Sequence, residues 1–178
     1  STVGRIHPHL EVKIIDTEGR IVPRGQPGEL CTRGYSVMLG YWDEAARTAE
    51  AVDPARWMHT GDLATIDEEG YCNIVGRIKD MVIRGGENIY PREIEEVLYE
   101  HPAVAEAAVV GVLHPELGQE VAAHVVLAPG AHATEEELIQ HVKSQVAPYK
   151  YPRTVTFIDA LPKGATGKIL KRELTPTE

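Results

Sequence analysis

The tripeptide Thr60-Gly61-Asp62 is one stretch whose residue types could do chemistry. The Asp62 carboxylate has two acceptor oxygens, which suits the two adjacent hydroxyls of a ribose. An aspartate beside a glycine is also typical of an ordinary turn. The tripeptide alone therefore leaves a nucleotide contact and a plain turn open.

The stretch Gly164–Lys168, with the sequence GATGK, could contact a phosphate. Its glycines expose backbone N–H groups and its lysine supplies a positive charge. It departs from a Walker loop in two places, because Pro162 stands where the first glycine would be and Ile169 replaces the Ser or Thr that would hold magnesium. The residues thus predict a phosphate-contacting loop of another kind or a basic surface loop.

A third stretch, Gly76–Glu96, combines charges, paired glycines and a helix start. The apolar run Met81–Ile83 predicts a short strand. Gly85 and Gly86 can adopt backbone conformations closed to other residues, and Pro91 followed by acidic residues is typical of the first turn of a helix. The stretch therefore predicts a strand, a tight turn and a helix, with an ordinary surface turn as the alternative.

The composition is that of a globular protein with an uneven charge distribution. The 178 residues are 43% hydrophobic and carry a net charge of −9, which argues against general binding to nucleic acid or anionic membranes. The segment from Lys143 to Arg172 nevertheless contains seven basic residues and one acidic residue, Asp159. This basic segment suits an anionic ligand of limited size, such as a phosphate-bearing cofactor, or is simply a solvated basic face.

The two cysteines and eight histidines do not predict a metal site or a catalytic histidine. Cys31 and Cys72 lie in apolar, strand-like contexts without metal-ligand spacing, so we expect buried free thiols in a reducing compartment. No apolar run approaches the roughly 20 residues of a membrane span, so no transmembrane segment is expected.

Hydrophobic periodicity predicts an α+β fold in two parts. The first is a small antiparallel β-rich lobe that ends near Arg77, and the second is a compact α+β domain. Predicted strands of the first lobe are Leu10–Ile15, Gly28–Thr32, Ala64–Ile66 and Tyr71–Val75, with a helix over Glu44–Ala51 that Asp43 would cap. Predicted elements of the second are Met81–Ile83, a helix through Ile94 and Leu98, Val104–Val112, Val121–Leu127, a helix after the capping box Thr134–Glu137, and Thr154–Ile158.

These stretches, in this order, resemble the signatures of the adenylate-forming enzymes, the superfamily of acyl-CoA synthetases, luciferases and peptide-synthetase adenylation domains. The resemblance covers Gly40–Trp42 through Asp62, the Gly76–Glu96 stretch, and Leu161–Lys168. The likeness is greatest to acyl-CoA synthetases, particularly the medium-chain type, over His141–Arg153. Three ordered motifs are far more specific than any one of them.

The resemblance implies roles in the first half-reaction. Asp62 would hold the ribose of ATP, and Arg77 would be a second nucleotide contact, a task that its permanent charge and forked donors fit. Lys168 would enter the active site during adenylation and contact the carboxylate substrate and the α-phosphate.

The second half-reaction involves other residues. Lys79 aligns with the hinge about which the family rotates its small carboxy-terminal domain. Gly85, Gly86 and Glu87 would then line the approach of the CoA pantetheine. Lys143 matches a CoA contact of the medium-chain enzymes, although a solvated helix lysine would look the same.

The resemblance also implies that residues 1–77 are the end of the large adenylating domain and residues 78–178 the mobile carboxy-terminal domain. The family's Ser/Thr/Gly-rich phosphate loop and its Tyr-Gly-x-Thr-Glu element do not occur here. We therefore expect a carboxy-terminal fragment that is inactive alone. Its partner would be the missing amino-terminal large domain, whose residues would bind Mg²⁺ in the full enzyme.

The expected function is that of part of an ATP-dependent fatty acyl-CoA synthetase, with ATP, CoA and a small carboxylate as its ligands. An aryl-CoA ligase or a luciferase-like adenylating enzyme is the alternative within the superfamily. A non-catalytic nucleotide- or CoA-binding module is the alternative of another class. The expected location is the cytoplasm, or the mitochondrial matrix in a eukaryote.

Overall fold

Strands dominate residues 2–175, the part of the chain that this computed structural model describes. They form two five-stranded sheets, and the chain divides into unit 1, Ser1–Lys79, and unit 2, Asp80–Glu178. The predicted α+β class is confirmed, since both sheets are largely antiparallel and the few helices are short. No helix among residues 2–175 has the length and apolar character needed to cross a membrane.

Unit 1 is an antiparallel sheet in the order β1-β5-β4-β3-β2. The elements are β1 Thr2–Arg5, β2 Leu10–Ile15, β3 Gly28–Gly34, the helix α1 Ala45–Ala51, β4 Met58–Ile66 and β5 Tyr71–Arg77. The predicted strands Ala64–Ile66 and Tyr71–Val75 belong to β4 and β5, which are longer than predicted and pair as a hairpin. Its turn closes where the Asp67 carboxylate accepts a hydrogen bond from the Tyr71 N–H at 2.8 Å and Gly70 adopts a φ of 85°.

The predicted cap of α1 is wrong. Asp43 has a φ of 54°, whereas a capping residue needs an extended backbone. Glu44 is the residue at the cap position and makes no side-chain capping hydrogen bond. The Thr48 hydroxyl instead links the helix to the preceding loop, because it donates to the Glu44 carbonyl and accepts from the Tyr41 N–H, both at 2.9 Å.

Unit 2 packs two helices against a mixed sheet. Its elements are β6 Val82–Arg84, β7 Glu87–Ile89, the helix α2 Pro91–Tyr99, β8 Val104–His114, β9 Gly118–Leu127, the helix α3 Glu135–Lys143 and β10 Thr154–Phe157. The order is β10-β9-β6-β7, with β8 paired to β9 and only β10 parallel to its neighbour. The sequence missed β7, which has three residues and no apolar alternation of its own.

Both helices of unit 2 bury an apolar face in its core, including the predicted positions Ile94 and Leu98. Ile94 and Leu98 of α2 and Leu138 and Val142 of α3 are fully buried against the sheet. The capping box is confirmed, because the Thr134 hydroxyl accepts from the Glu137 N–H and the Glu137 carboxylate accepts from the Thr134 N–H. Helix α3 therefore begins where the sequence indicated.

Both thiols are buried and unpaired, as predicted. Burial, reinforced by the nearby Glu29 carboxylate, raises the pKa of Cys31 to about 11. Because the thiolate is the nucleophile, the native thiols should react with Ellman's reagent at pH 8 at least about 100-fold more slowly than those of the chain unfolded in guanidinium. Equal rates in the two conditions would contradict the buried positions.

Candidate functional site

Asp62 and Arg77 form an ion pair in unit 1. They lie directly opposite each other on β4 and β5, and the Arg77 Nε is 2.7 Å from the Asp62 Oδ1. The side chains are 26% and 41% exposed, so the carboxylate and the guanidinium both reach solvent. A carboxylate accepts at two oxygens, so Asp62 can hold Arg77 and also accept from a vicinal diol. The structure thus places side by side two residues that the resemblance singled out separately as nucleotide contacts.

The Thr60 hydroxyl determines the local path of the backbone before Asp62. It donates to the Leu30 carbonyl on β3 at 2.8 Å and accepts from the Asp62 N–H at 3.1 Å. Gly61 between them has a φ of 69°, a conformation that favours glycine. The Thr-Gly-Asp sequence therefore forms a hydrogen-bonded kink in β4: Thr60 makes the hydrogen bonds and Gly61 allows the positive φ.

A cluster of Glu29, Cys31 and His59, which sequence reasoning did not predict, supports the same kink. Their ligand atoms lie within 4.8 Å of one another. The Glu29 carboxylate lies 2.8 Å from the His59 Nδ1 and accepts from the Gly61 N–H at 3.3 Å. Glu29 and His59 stand on adjacent strands, so only the strand pairing joins them.

The geometry of this cluster favours a hydrogen-bonded network over a zinc site. Two ligands of a tetrahedral zinc ion, with bonds of about 2.0–2.2 Å, lie roughly 3.4 Å apart, which is longer than the 2.8 Å between Glu29 and His59. A zinc-bound cysteine must also be a thiolate, and burial raises the pKa of Cys31, so release of its proton would add to the free-energy cost of zinc binding here. The cluster holds the Gly61 backbone and, through it, Asp62.

Lys79 lies where unit 1 ends. It is the middle residue of a short 3-10 helix, Ile78–Asp80, and its side chain is exposed. None of the hydrogen bonds or ion pairs among residues 2–175 involves its ammonium group. The backbone at Lys79 is thus the link between the two units.

Gly85 and Gly86 form the two-residue turn between β6 and β7. Their φ values are 58° and 88°, as a type I′ hairpin turn requires at both positions. The Gly85 N–H donates to the Leu117 carbonyl at 2.9 Å, which ties the turn to the β8–β9 connection. A Cβ on Gly86 would meet no atom within 4 Å. The two glycines therefore expose their backbone to solvent, and Glu87, which follows them, is also exposed.

The segment around Lys168 is a small closed loop in unit 2. The Gly164 N–H donates to the Lys168 carbonyl at 2.8 Å, and the Leu170 N–H donates to the Pro162 carbonyl at 2.8 Å. Gly167 has a φ of 78°, so the reversal needs a glycine there. The loop projects Lys168 into solvent.

Lys168 differs from its lysine neighbours in its lack of an acidic partner. Within residues 2–175 its ammonium takes part in no hydrogen bond or ion pair, whereas Lys150, Lys163 and Lys171 each pair with a glutamate. An unpaired ammonium on a closed loop is available to an anionic ligand. The predicted phosphate-contacting residue is thus free to act as one.

Lys143 belongs to a cationic and aromatic cluster rather than standing alone. The Arg153 guanidinium lies 3.5 Å from the Tyr151 ring centroid, and the Lys143 Nζ lies 5.2 Å from it. Arg153 also donates to the Tyr151 carbonyl at 3.1 Å. Two cations beside one ring suit a ligand that carries phosphate. Sequence reasoning singled out Lys143 and included Arg153 in the basic segment, but it did not predict that both lie beside the Tyr151 ring.

Two family models match the chain. The model described as AMP-binding enzyme matches residues 1–42, and the model described as AMP-binding enzyme C-terminal domain matches residues 93–168. The second match begins within helix α2, contains helix α3 and ends at Lys168. Each match falls within one of the two structural units.

Curated relatives are acyl-CoA synthetases by name. The chain is 52% identical over 174 residues to YngI of Bacillus subtilis (strain 168), a protein named as an acyl-CoA synthetase, covering 97% of this chain and 32% of YngI. It is 50% identical to the mitochondrial medium-chain acyl-CoA ligase ACSF2 of Danio rerio, covering 97% of this chain and 29% of that protein. The chain thus spans about 30% of the length of these relatives.

Solved structures agree with this. ATP-bound MatB from Rhodopseudomonas palustris matches with a TM-score of 0.91 and 38% identity, over 97% of this chain and 35% of that chain. The o-succinylbenzoate CoA synthetase MenE from Bacillus subtilis, in complex with its acyl-adenylate intermediate, matches with a TM-score of 0.91 and 34% identity, over 99% of this chain and 36% of that chain. The chain belongs to the AMP-binding, adenylate-forming enzyme family and is related to its acyl-CoA synthetases.

Proposed function

We propose that the chain is the carboxy-terminal part of an ATP-dependent fatty acyl-CoA synthetase. A substrate carboxylate oxygen attacks the α-phosphorus of ATP, and the bond to pyrophosphate breaks. The CoA sulfur then attacks the acyl carbon, loses its proton and displaces AMP. The observation that carries this proposal is the unpaired Lys168 ammonium on its closed loop, in a chain of this family.

Lys168 would act in the first step. Negative charge develops on the α-phosphate and on the leaving pyrophosphate as the carboxylate attacks. An ammonium that is already in place stabilises that charge without reorganisation at the moment of reaction. The glycines that flank it allow the loop to approach the reacting atoms.

Asp62 and Arg77 would bind the nucleotide in unit 1. The Asp62 carboxylate would accept from the ribose hydroxyls, and its ion pair with Arg77 orients the carboxylate. The Thr60 hydroxyl and the Glu29 network support this role, because they hold the backbone on which Asp62 stands.

CoA would use a different surface of unit 2. The turn at Gly85 and Gly86, with Glu87, would line the pantetheine arm, since the open space at Gly86 suits a narrow chain close to the backbone. Lys143, beside Tyr151 and Arg153, would attract the phosphates of CoA. These residues are accessible without any change within unit 2.

Residues 1–77 would then be the end of the large adenylating domain and residues 78–178 the mobile domain, with Lys79 as the hinge. The rest of the large domain would supply the phosphate loop, the Mg²⁺ ligands and the acyl pocket, and the chain alone would be inactive. ACSF2 relatives bear the name mitochondrial, which supports the mitochondrial matrix as the site of action in a eukaryote and the cytoplasm otherwise.

An aryl-CoA ligase is the second candidate. The likeness to MenE, an o-succinylbenzoate CoA synthetase, favours it. Pyrophosphate release by the full-length enzyme with a panel of fatty and aromatic acids distinguishes the two. A luciferase-like oxidase would form the adenylate without the thioester.

The first test is ATP binding to the isolated chain. Because Asp62 and Arg77 are present without a phosphate loop, the Kd should exceed about 1 mM, where binding is worth only about −4 kcal/mol. Isothermal titration calorimetry measures it. A micromolar Kd would instead support a self-contained nucleotide-binding module.

The second test is Lys168→Ala in the full-length enzyme. Loss of one preorganised charge should slow adenylation by on the order of 10²–10³-fold, while transfer of supplied acyl-adenylate to CoA stays nearly intact. Single-turnover assays measure the steps separately. Lys163→Ala, which removes a paired lysine of the same loop, is the control. An equal fall in both steps would make Lys168 structural.

The third test is Lys79→Pro in the full-length enzyme. Proline fixes φ near −65° and removes a backbone donor, so rotation about this residue should be blocked. If the adenylating arrangement is trapped, pyrophosphate release should persist while CoA consumption falls. Lys79→Ala, which leaves the backbone free, is the control, and the melting temperature reports folding. Equal loss in both steps, or none, would rule out the hinge.

A further inference from the structure

Two lysine–glutamate pairs bracket the Lys168 loop. Before it, the Lys163 Nζ lies 2.6 Å from the Glu106 Oε1, with side chains that are 42% and 35% exposed. After it, the Lys171 Nζ lies 2.6 Å from the Glu95 Oε1, with side chains only 22% and 15% exposed. The second pair is less accessible to solvent and salt, so its attraction is screened less.

Glu95 connects three parts of unit 2. It stands on α2, and the same carboxylate oxygen that meets Lys171 accepts from the Val109 N–H at 2.7 Å. Val109 is fully buried on β8, which pairs with β9 on one side. Lys171 begins a short 3-10 helix, Lys171–Glu173, that lies against β8. Glu95 thus attaches the segment after the loop to the rigid core.

The loop itself is held only at its two ends. Leu161 is 3% exposed and anchors the entry, and a bridge joins Lys163 to Ile169. Between these points the residues from 165 to 168 are exposed. The position of Lys168 relative to the core is therefore set by the attachments of its two ends.

We propose that the Glu95–Lys171 pair is a positioning device for Lys168, which it holds at the place where adenylation needs a positive charge. This rests on the proposed function of Lys168. The pair does not touch the substrate; it limits the movement of the loop's exit so that the ammonium is preorganised. The Glu106–Lys163 pair at the entry is more exposed and more strongly screened, so it is not part of this device and Lys163→Ala remains a control. Because Lys168 acts in adenylation alone, loss of the Glu95–Lys171 pair slows that step and spares thioester formation.

Hydrogen exchange on the chain as it stands tests the mechanical part. Glu95→Gln removes the charge but leaves an oxygen for the Val109 N–H. The Gly164 and Leu170 amides, which close the loop, should exchange about 10-fold faster, while amides of β9 keep their protection. Glu96→Gln is the matched control, since Glu96 is the next residue of α2 and pairs with Arg92 in an exposed position. Unchanged loop amides in Glu95→Gln would overturn the proposal.

Half-reaction kinetics of the full-length enzyme test the chemical part. Glu95→Gln should slow adenylation by about 10-fold and thioester formation from supplied acyl-adenylate by less than about twofold, since small misplacements of a catalytic group have large effects on rate. Lys171→Met should reproduce this, and the double variant should be no slower than either single variant, as expected for one interacting pair. Glu96→Gln should change neither step.

The outcomes separate the two proposals. If Lys168→Ala leaves adenylation intact, the role of Lys168 is wrong and the positioning role fails with it. If Lys168→Ala slows adenylation alone but Glu95→Gln slows neither step, or both steps equally, only the positioning role is overturned. If Glu95→Gln also loses protection in β9, the carboxamide has unfolded unit 2, and Lys171→Met decides the question by the same criteria.

Discussion

Two glutamates on opposite flanks of the buried face of helix α2 attach the carboxy-terminal segment of unit 2 to its core. Ile94 and Leu98 bury one face in the core, and the glutamates beside them hold basic residues of the carboxy-terminal segment. Glu93 pairs with Lys150 and Glu95 pairs with Lys171. Among residues 2–175 this leaves Lys168 without an acidic partner. In a protein of net charge −9, glutamates that already hold Lys150 and Lys171 are less available to Lys168.

In unit 1, strand register rather than a helix places the charged residues of the candidate site. Asp62 and Arg77 face each other because β4 and β5 pair at that position, with a shift of register between Leu63 and Ala64. A slip by one residue would turn one of the two side chains to the opposite face of the sheet. The hydrogen bonds of Thr60 and Glu29 near this irregularity therefore protect the geometry of the pair as well as the path of the backbone.

The sequence predicted what depends on local pattern. Alternation predicted β2 correctly, helical spacing predicted the buried face of α2, and the capping box located the start of α3. The prediction failed at Asp43, whose positive φ prevents it from capping α1, and at β7, which is too short to show a pattern. The family resemblance singled out Lys168, but no periodicity could place Glu95 against Lys171 or Glu29 against His59. Those contacts join residues that are far apart in the chain and exist only once the sheets have formed.

The Lys168 loop combines two demands that usually conflict. Gly164 and Gly167 make the backbone of the loop more flexible than other residues would. A loop held by nothing else would therefore leave the Lys168 ammonium without one defined position. The partly buried Glu95–Lys171 pair holds the segment after the loop beside the core, while the turn that carries Lys168 stays exposed. If the domain that carries Lys168 rotates between two steps, the ammonium must arrive already in place each time, because any search within the loop would add to the barrier. An attachment within unit 2 travels with the loop and meets that demand in both arrangements.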